Sequence, residues 1–381
     1  MIKVSVIFGT RPEAVKLCPL VLAMQESPDL QVHVCVTGQH REMLDQVLEA
    51  FGIVPDVDLR LMRPRQTLAD LTSRAIAAVD RYLAESRPDM VIVQGDTTTT
   101  FCASLAAFYR RILLGHVEAG LRTANKFSPF PEEINRVLTS RLADYHFAPT
   151  QRARRNLLEE GVADEKIFVT GNTVVDALLW ALEKIRRDPP RIPDLPPDLL
   201  EGNKDKRLVL VTGHRRENFG RGLEAICRAI SSLALRFPDV ALVYPVHLNP
   251  NVQEPVRRLL SRIENVYLTR PLDYLPFVAL MDRAALVVTD SGGVQEEASS
   301  LGKPVLLTRD TTDRPEGVGV GAVRLVGTDA AAIVENAVRL LNEPDPCAAT
   351  VRADSPYGDG RACQRIVAVV QESLVPTSCL V

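Results

Sequence analysis

The sequence predicts two doubly wound α/β domains, each a parallel sheet covered by helices on both faces. Three observations carry this. Val- and Ile-rich runs alternate with segments of helical period; the runs are continuously apolar, as in strands buried on both faces; and a proline-rich charged stretch divides the alternation in two. At 381 residues the chain is long enough to bury two cores.

In chain order, strands are expected near 2–8, 31–36, 89–93, 112–117 and 144–148, with helices near 12–26, 40–50, 68–86, 98–110, 130–143 and 150–160. The first run ends at Gly9, and Pro12 falls in the first turn of the following helix, where its missing N–H costs nothing. The stretch RRDPPRIPDLPPDLLEGNKDKR, 186–207, holds five prolines and many charges and reads as an exposed loop near the start of a second unit. Beyond it, strands are expected near 208–212, 240–245, 265–268, 285–289 and 304–307, each followed by a helical segment. In such folds ligands bind outside the strand carboxyl ends, so a crevice is expected between the two domains.

Lys plus Arg number 45 against 48 Asp plus Glu, with no long block of one sign, which argues against a general nucleic-acid surface. An anionic ligand must then be met by a few placed cations. The seven cysteines are scattered and form no CxxC pair, so neither a zinc knuckle nor a disulfide framework is indicated, and reduced core thiols are expected. The first apolar run is too short for a signal peptide, and no segment approaches the roughly 18 uncharged residues of a membrane helix. A cytoplasmic protein with no membrane association is expected.

Chemistry concentrates after strand ends. In VIFGTRPEAVKL, 6–17, Arg11, Glu13 and Lys16 surround a helix N-terminus, where N–H groups and the dipole favour an anion; an ordinary turn with a surface arginine is the plain alternative. In LVLVTGHRRENFGRG, 208–222, His214, Arg215 and Arg216 follow a strand and suit phosphate oxygens, unless they are only a solvated charge cluster. In LVVTDSGGVQEEASSLGKPVLL, 286–307, the Ser291-Gly292-Gly293 turn lets backbone N–H groups approach an anion, and a carboxylate one to two turns on, Glu296 or Glu297, suits paired ribose hydroxyls. RPEG at 314–317, with Arg314, adds to that reading.

Acids also stand after strands. Asp96 follows one, Glu118 the next, and SPFPEEINR, 128–136, supplies Glu132 and Glu133 at a helix start and Arg136 beyond them. If the strands are neighbours, Asp96, Glu118 and Glu132 converge, a pattern suited to proton transfer; helix capping is the alternative for Asp96 and Glu132. The chain has no GxxxxGK[ST] loop, no GxGxxG after the first strand, no HExxH and no GxSxG, so phosphoryl transfer, hydride transfer, zinc hydrolysis and serine acyl transfer lose their usual support.

The ordered set FGTRPEAVKL, TGQHREMLDQVL, GDTTTT, GHVEAGLRT, PEEINR, TGNTVVDAL, TGHRREN, YPVHLNPNV, LPFVALM, TDSGGVQEEA and SPYGDG spans residue 6 to about 360 and resembles the non-hydrolysing UDP-N-acetylglucosamine 2-epimerases of bacteria. The resemblance implies a GT-B-like fold, two Rossmann-like domains facing a central cleft, with residues 1–169 and about 361–381 in the first and 170–360 in the second. It implies a homodimer acting on a UDP-sugar, interconverting UDP-N-acetylglucosamine and UDP-N-acetylmannosamine for surface polysaccharide, with no metal and no nicotinamide.

It further implies Asp96, Glu118, Glu132 and His214 as catalytic residues. Arg11, Lys16, Arg136, Ser291, Gly292, Gly293, Glu297 and Arg314 are implied in substrate binding, and Gln39, Arg215 and His247 at a second, regulatory UDP-sugar position. Departures are few: Ser299 replaces a usual proline, and Gly319 and Ala322 stand where bulkier or polar residues are common. A GT-B glycosyltransferase, a hydrolysing epimerase and a silent nucleotide-sugar sensor are the competing readings.

Overall fold

The computed structural model describes residues 1–38, 41–63, 66–192, 194–196, 199, 207–312, 314–343 and 355–374, the side chains of 41 and 42 excepted. The chain divides into two compact units, Met1–Leu179 with Tyr357–Val381, and Trp180–Pro356.

The first unit is built on β1 (Ile2–Phe8), β2 (Leu30–Val36), β3 (Val57–Asp58), β4 (Met90–Gln94), β5 (Leu113–Val117), β6 (Tyr145–Ala148) and β7 (Ile167–Val169). They form one sheet in the order β3-β2-β1-β4-β5-β6-β7, and every pairing is parallel. The winding direction reverses between β1 and β4, the point where such sheets open a crevice at their carboxyl ends. The strands are mostly apolar because helices cover both faces. Ile7, Val91, Val93 and Leu114 pack with Ala103, Ala106 and Ala107 of helix Thr98–Tyr109 and with Val79 and Leu83 of helix Leu68–Ser86. Each fully buried Val, Ile or Leu contributes about 1.5–3 kcal/mol.

The second unit repeats the plan with β8 (Leu208–Thr212), β9 (Ala241–Pro245), β10 (Val266–Thr269), β11 (Leu286–Thr289), β12 (Val305–Leu307) and β13 (Val323–Leu325), ordered β10-β9-β8-β11-β12-β13. All pairings are parallel and the reversal lies between β8 and β11. Val209, Val211, Leu242 and Val288 pack against Ile226, Ile230, Ile333 and Ala337.

β3, β7 and β13 are absent from the expected strands. They are two or three residues long and at or next to sheet ends, too short to show a period. The first unit also runs past the expected 169 and resumes at Tyr357, before the expected 361. Hydrogen bonds explain both shifts: Asn172 N donates to Tyr357 O at 2.7 Å, and the Asp176 carboxylate accepts from Ala362 N at 3.2 Å and Cys363 N at 2.9 Å, capping helix Ala362–Leu374. That helix buries Ala362, Cys363, Ile366 and Val370, and Gln371 Nε2 donates to Ser27 Oγ at 3.0 Å.

Cys18, Cys35, Cys102, Cys227 and Cys363 are free and buried, and burial pushes their thiols up, those of Cys102 and Cys227 to about 12. Cys347 and Cys379 lie outside the described residues. Among the described residues no helix is long and apolar enough to cross a membrane.

Candidate active site

The switch point of the first sheet brings together the loops after β1, β4 and β5. At the first of them, where the sequence offers either an anion site or an ordinary turn, the structure shows a carboxylate of the chain's own. Glu13 is 0% exposed; its Oε2 accepts from Gly9 N at 3.0 Å and Thr10 N at 2.8 Å. Thr10 is the N-cap and Glu13 the third residue of helix Arg11–Gln25, so the side chain reaches back and takes the N–H groups of the two residues before the helix. Its Oε1 accepts from Thr97 Oγ1 at 2.7 Å and Thr100 Oγ1 at 3.1 Å. Burial raises the Glu13 pKa, and these donors pull the other way. Arg11 lies half-buried at the head of the same helix.

The loops after β4 and β5 are neighbours, since Gln94 pairs with Val117 and Gly95 N donates to Val117 O at 3.0 Å. Gly95 has φ 71°, a left-handed conformation that glycine adopts without strain and that turns the chain into Asp96. Glu118 holds the same region without that freedom, at φ 63°, at a cost of about 1–3 kcal/mol.

Glu118 is deeply set. Its carboxylate makes a short ion pair with Lys16 Nζ and accepts from Asn172 Nδ2 at 2.8 Å, with side-chain exposures of 7% for Lys16 and 6% for Glu118. Asp96 is more open, its side chain 27% exposed; its Oδ2 lies 2.6 Å from Arg136 Nη2, and its backbone O accepts from Asn135 Nδ2 at 3.0 Å. Those two residues belong to helix Glu132–Leu142, so the turn headed by half-buried Glu132 is tied to the Asp96 loop. Adjacent Glu133 is buried and spent on structure, accepting from Thr123 N at 3.0 Å and Ala124 N at 3.1 Å. Behind the acids, His116 Nε2 lies 2.7 Å from Gly95 O, and burial lowers its pKa to about 3, so a neutral ring donates to that carbonyl.

The second unit gathers its polar residues at the β8/β11 switch point. Tyr244, buried in β9, donates from its hydroxyl to Gly213 O at 3.3 Å. Asp290, 1% exposed, accepts from His214 N at 3.0 Å, Arg215 N at 2.9 Å and Asn218 Nδ2 at 3.2 Å, and its Oδ1 is 3.5 Å from His214 Nδ1. The backbone N–H groups of His214 and Arg215 thus face Asp290. The His214 ring stacks on His247, centroids 5.7 Å apart at 19°. His247 Nδ1 accepts from Asn249 N at 3.1 Å, and desolvation, then the His214 ring, lowers its pKa.

Ser291 is the N-cap of helix Gly292–Ser300. A Cβ on Gly292 would lie 2.6 Å from Arg314 Nη1, so any side chain there would push this guanidinium aside, and its Nε sits 2.7 Å from Glu296 Oε1. A Cβ on Gly293 would meet nothing within 4 Å, so the helix start opens onto free space. Glu297 is buried one turn along. Ser299, at the position of the usual proline, is fully buried, and its Oγ donates to Glu296 O at 3.1 Å. Among the described residues no group of three or more His, Cys, Asp or Glu could hold a metal ion.

A family model described as UDP-N-acetylglucosamine 2-epimerase matches residues 22–371. Over 373 residues the chain is 56% identical to the UDP-N-acetylglucosamine 2-epimerase of Escherichia coli (strain K12), covering 98% of this chain and 99% of that one. The chain belongs to the UDP-N-acetylglucosamine 2-epimerase family. An epimerase is an isomerase, and that is the enzyme class of this chain. The crystal structure of UDP-GlcNAc 2-epimerase from Neisseria meningitidis bound to UDP-GlcNAc matches with a TM-score of 0.90 at 47% identity, over 97% of this chain and all of that one. The Methanocaldococcus jannaschii UDP-GlcNAc 2-epimerase in complex with UDP-GlcNAc and UDP matches with a TM-score of 0.82 at 33% identity, over 97% and 100%. The GT-B-like class, two Rossmann-like parallel-sheet domains, is that of these epimerases.

Within this family framework, the first unit brings together Lys16, Asp96, Glu118 and Arg136, with Glu132 and Arg11 heading the adjoining helices. The second brings together His214, Arg215 and His247 on one side, and Ser291, Gly292, Gly293, Glu297 and Arg314 on the other. Gln39 lies outside the described residues. Sequence reasoning missed Asn172, Asn135 and Asp290, and it placed Glu13 at the right turn without its role. The threonines of GDTTTT were the available signal, being too many for a single cap.

Proposed function

We propose that this chain reversibly inverts C2 of UDP-N-acetylglucosamine to give UDP-N-acetylmannosamine, by elimination and re-addition of UDP without net hydrolysis. The observation that carries it is the pairing of Asp96 and Glu118 on adjacent strand ends, each fastened to a cation and an asparagine, in a chain of this family. The second unit holds UDP. The Ser291-Gly292-Gly293 helix start and the His214 and Arg314 side chains meet the diphosphate, and Glu297 meets the ribose hydroxyls. Arg11 is a further cation for the diphosphate.

The C2 hydrogen is not acidic while C1 keeps its substituent. When the C1–O bond breaks, its electron pair leaves on the β-phosphate oxygen and positive charge grows at C1. A carboxylate then takes the C2 proton and the C1–C2 double bond of 2-acetamidoglucal forms. In the return step a proton is delivered to the other face of C2 and UDP adds back at C1. Asp96, Glu118 and Glu132 are the groups that exchange these protons, and the Lys16 ion pair and Arg136 hold two of them in place. We assign the enzyme to the cytoplasm, as a homodimer supplying precursors of surface polysaccharide, with Gln39, Arg215 and His247 at a regulatory UDP-sugar position.

Proton NMR of UDP-N-acetylglucosamine with the pure protein in deuterium oxide tests the reading. Deuterium at C2, with the mannosamine epimer still attached to UDP, is the expected result. A bound but unexchanged substrate defeats it, and free N-acetylmannosamine accumulating with turnover establishes a hydrolase instead.

A further inference from the structure

Glu13 spans two loops of the first unit that the chain keeps far apart in sequence. One oxygen takes the N–H groups of Gly9 and Thr10, immediately before Arg11; the other takes the hydroxyls of Thr97 and Thr100, immediately after Asp96. Two helices begin here, Arg11–Gln25 and Thr98–Tyr109, and their N-termini both favour an anion at this point. The partners are themselves pinned. Thr97 Oγ1 accepts from Thr100 N at 3.1 Å, Thr100 Oγ1 lies 2.7 Å from Gln94 O, and Thr37 Oγ1 lies 2.9 Å from Thr99 Oγ1. Thr100 is fully buried. A carboxylate this deep, spent wholly on loop atoms, costs desolvation that capping one helix would not require.

We propose that Glu13 is a positioning residue for the epimerisation, a bridge that sets the Asp96 loop against the Arg11 loop so that Asp96 meets the reacting carbon. This rests on the reading of Asp96 as a proton-transfer group. The bridge depends on side-chain length, and its charge is secondary. A glutamine can turn its carbonyl to Gly9 and Thr10 and its amide to the two hydroxyls, whose own protons then rotate away, so that all four contacts survive. Aspartate keeps the charge and is one methylene too short to reach both loops.

The test compares wild type, Glu13→Asp and Glu13→Gln in kcat, in the primary deuterium isotope effect with C2-deuterated UDP-N-acetylglucosamine, and in UDP affinity. Displacing a base by a fraction of an ångström to an ångström lowers turnover by ~10–100-fold. Glu13→Asp is therefore expected to lose kcat in that range with a larger isotope effect and UDP affinity within about 2-fold of wild type, and Glu13→Gln to recover most of the loss. Thr100→Val, which removes one contact from the far loop and keeps the volume, is expected to shift kcat and the isotope effect the same way and serves if the aspartate variant does not fold. Wild-type kcat and isotope effect in both Glu13→Asp and Thr100→Val overturn the proposal. So does a loss in Glu13→Gln equal to that in Glu13→Asp, or UDP affinity falling in step with kcat. A wild-type enzyme that exchanges no C2 proton defeats the proposed function, whereas an active wild type with unimpaired variants defeats only the bridge.

Discussion

Lowering the pH from 7 to 5 is expected to destabilise the first unit through two buried histidines. His116 and His146 are paired residues on β5 and β6, 0% and 1% exposed, and burial holds their pKa values down to about 3 and about 4. In an unfolded chain both titrate near 6.5. As pH falls through that value the unfolded chain binds protons that the folded chain refuses, so stability falls from about pH 6.5 down to the folded pKa values. Integrated from pH 7 to 5, the proton difference amounts to about 2 kcal/mol for each histidine and about 4 kcal/mol for the pair.

Surface carboxylates do not share that window. Asp80, held low by its hydrogen bonds from Arg110, and Asp239, held low by Arg207, withdraw their support only below about pH 4. Glu13 and Asp176, raised by burial, oppose the trend, because the folded state protonates them first as pH falls. The comparison is therefore wild type against the double variant His116→Gln/His146→Gln. The urea midpoint is read at both pH values from hydrogen exchange in peptides covering β4 to β6. Wild type is expected to lose the extra stability between pH 7 and 5 and the double variant to lack that loss. An identical pH dependence in the two proteins would refute the reasoning, whatever their absolute stabilities.

Asp96→Asn should cut C2 exchange by about 10²–10⁴-fold while UDP still binds, as calorimetry beside NMR exchange would show; wild-type turnover removes Asp96 from the chemistry. Lys16→Met takes the cation from buried Glu118 and should cost about 3–5 kcal/mol in urea unfolding of the first unit, as breaking a buried pair does. In the second unit, Gly292→Ala puts a methyl where the Arg314 guanidinium lies, and UDP Kd is expected to rise about 10-fold, equivalent to about 1.4 kcal/mol, measurable by titration calorimetry.

What was legible in the sequence follows from how local each signal is. The long strands announce themselves because a strand covered on both faces is apolar along its run, as β4 is from Met90 to Val93. β3, β7 and β13 depend on a neighbouring strand to exist and leave almost no pattern of their own. Asp96 and Glu118 stand out as acids directly after apolar runs. Glu13 was visible as an acid at a helix start, but its partners Thr97 and Thr100 are 84 and 87 positions away, and only the β1–β4 pairing brings them near. Asn172 is neutral and meets Glu118 only because β5, β6 and β7 lie side by side. Asp290 was hidden inside a glycine turn whose ligand-binding look drew attention from its structural task.

The fastening of helix Ala362–Leu374 to Asp176 bears on how the protein is made. On the ribosome the first unit's sheet emerges early, yet the donors that Asp176 caps are translated almost two hundred codons later, after the whole of the second unit. Domains synthesised in sequence commonly fold in the order they appear. Here the nascent first unit must wait, with the groove for its last helix uncovered, until the second has passed through the exit tunnel.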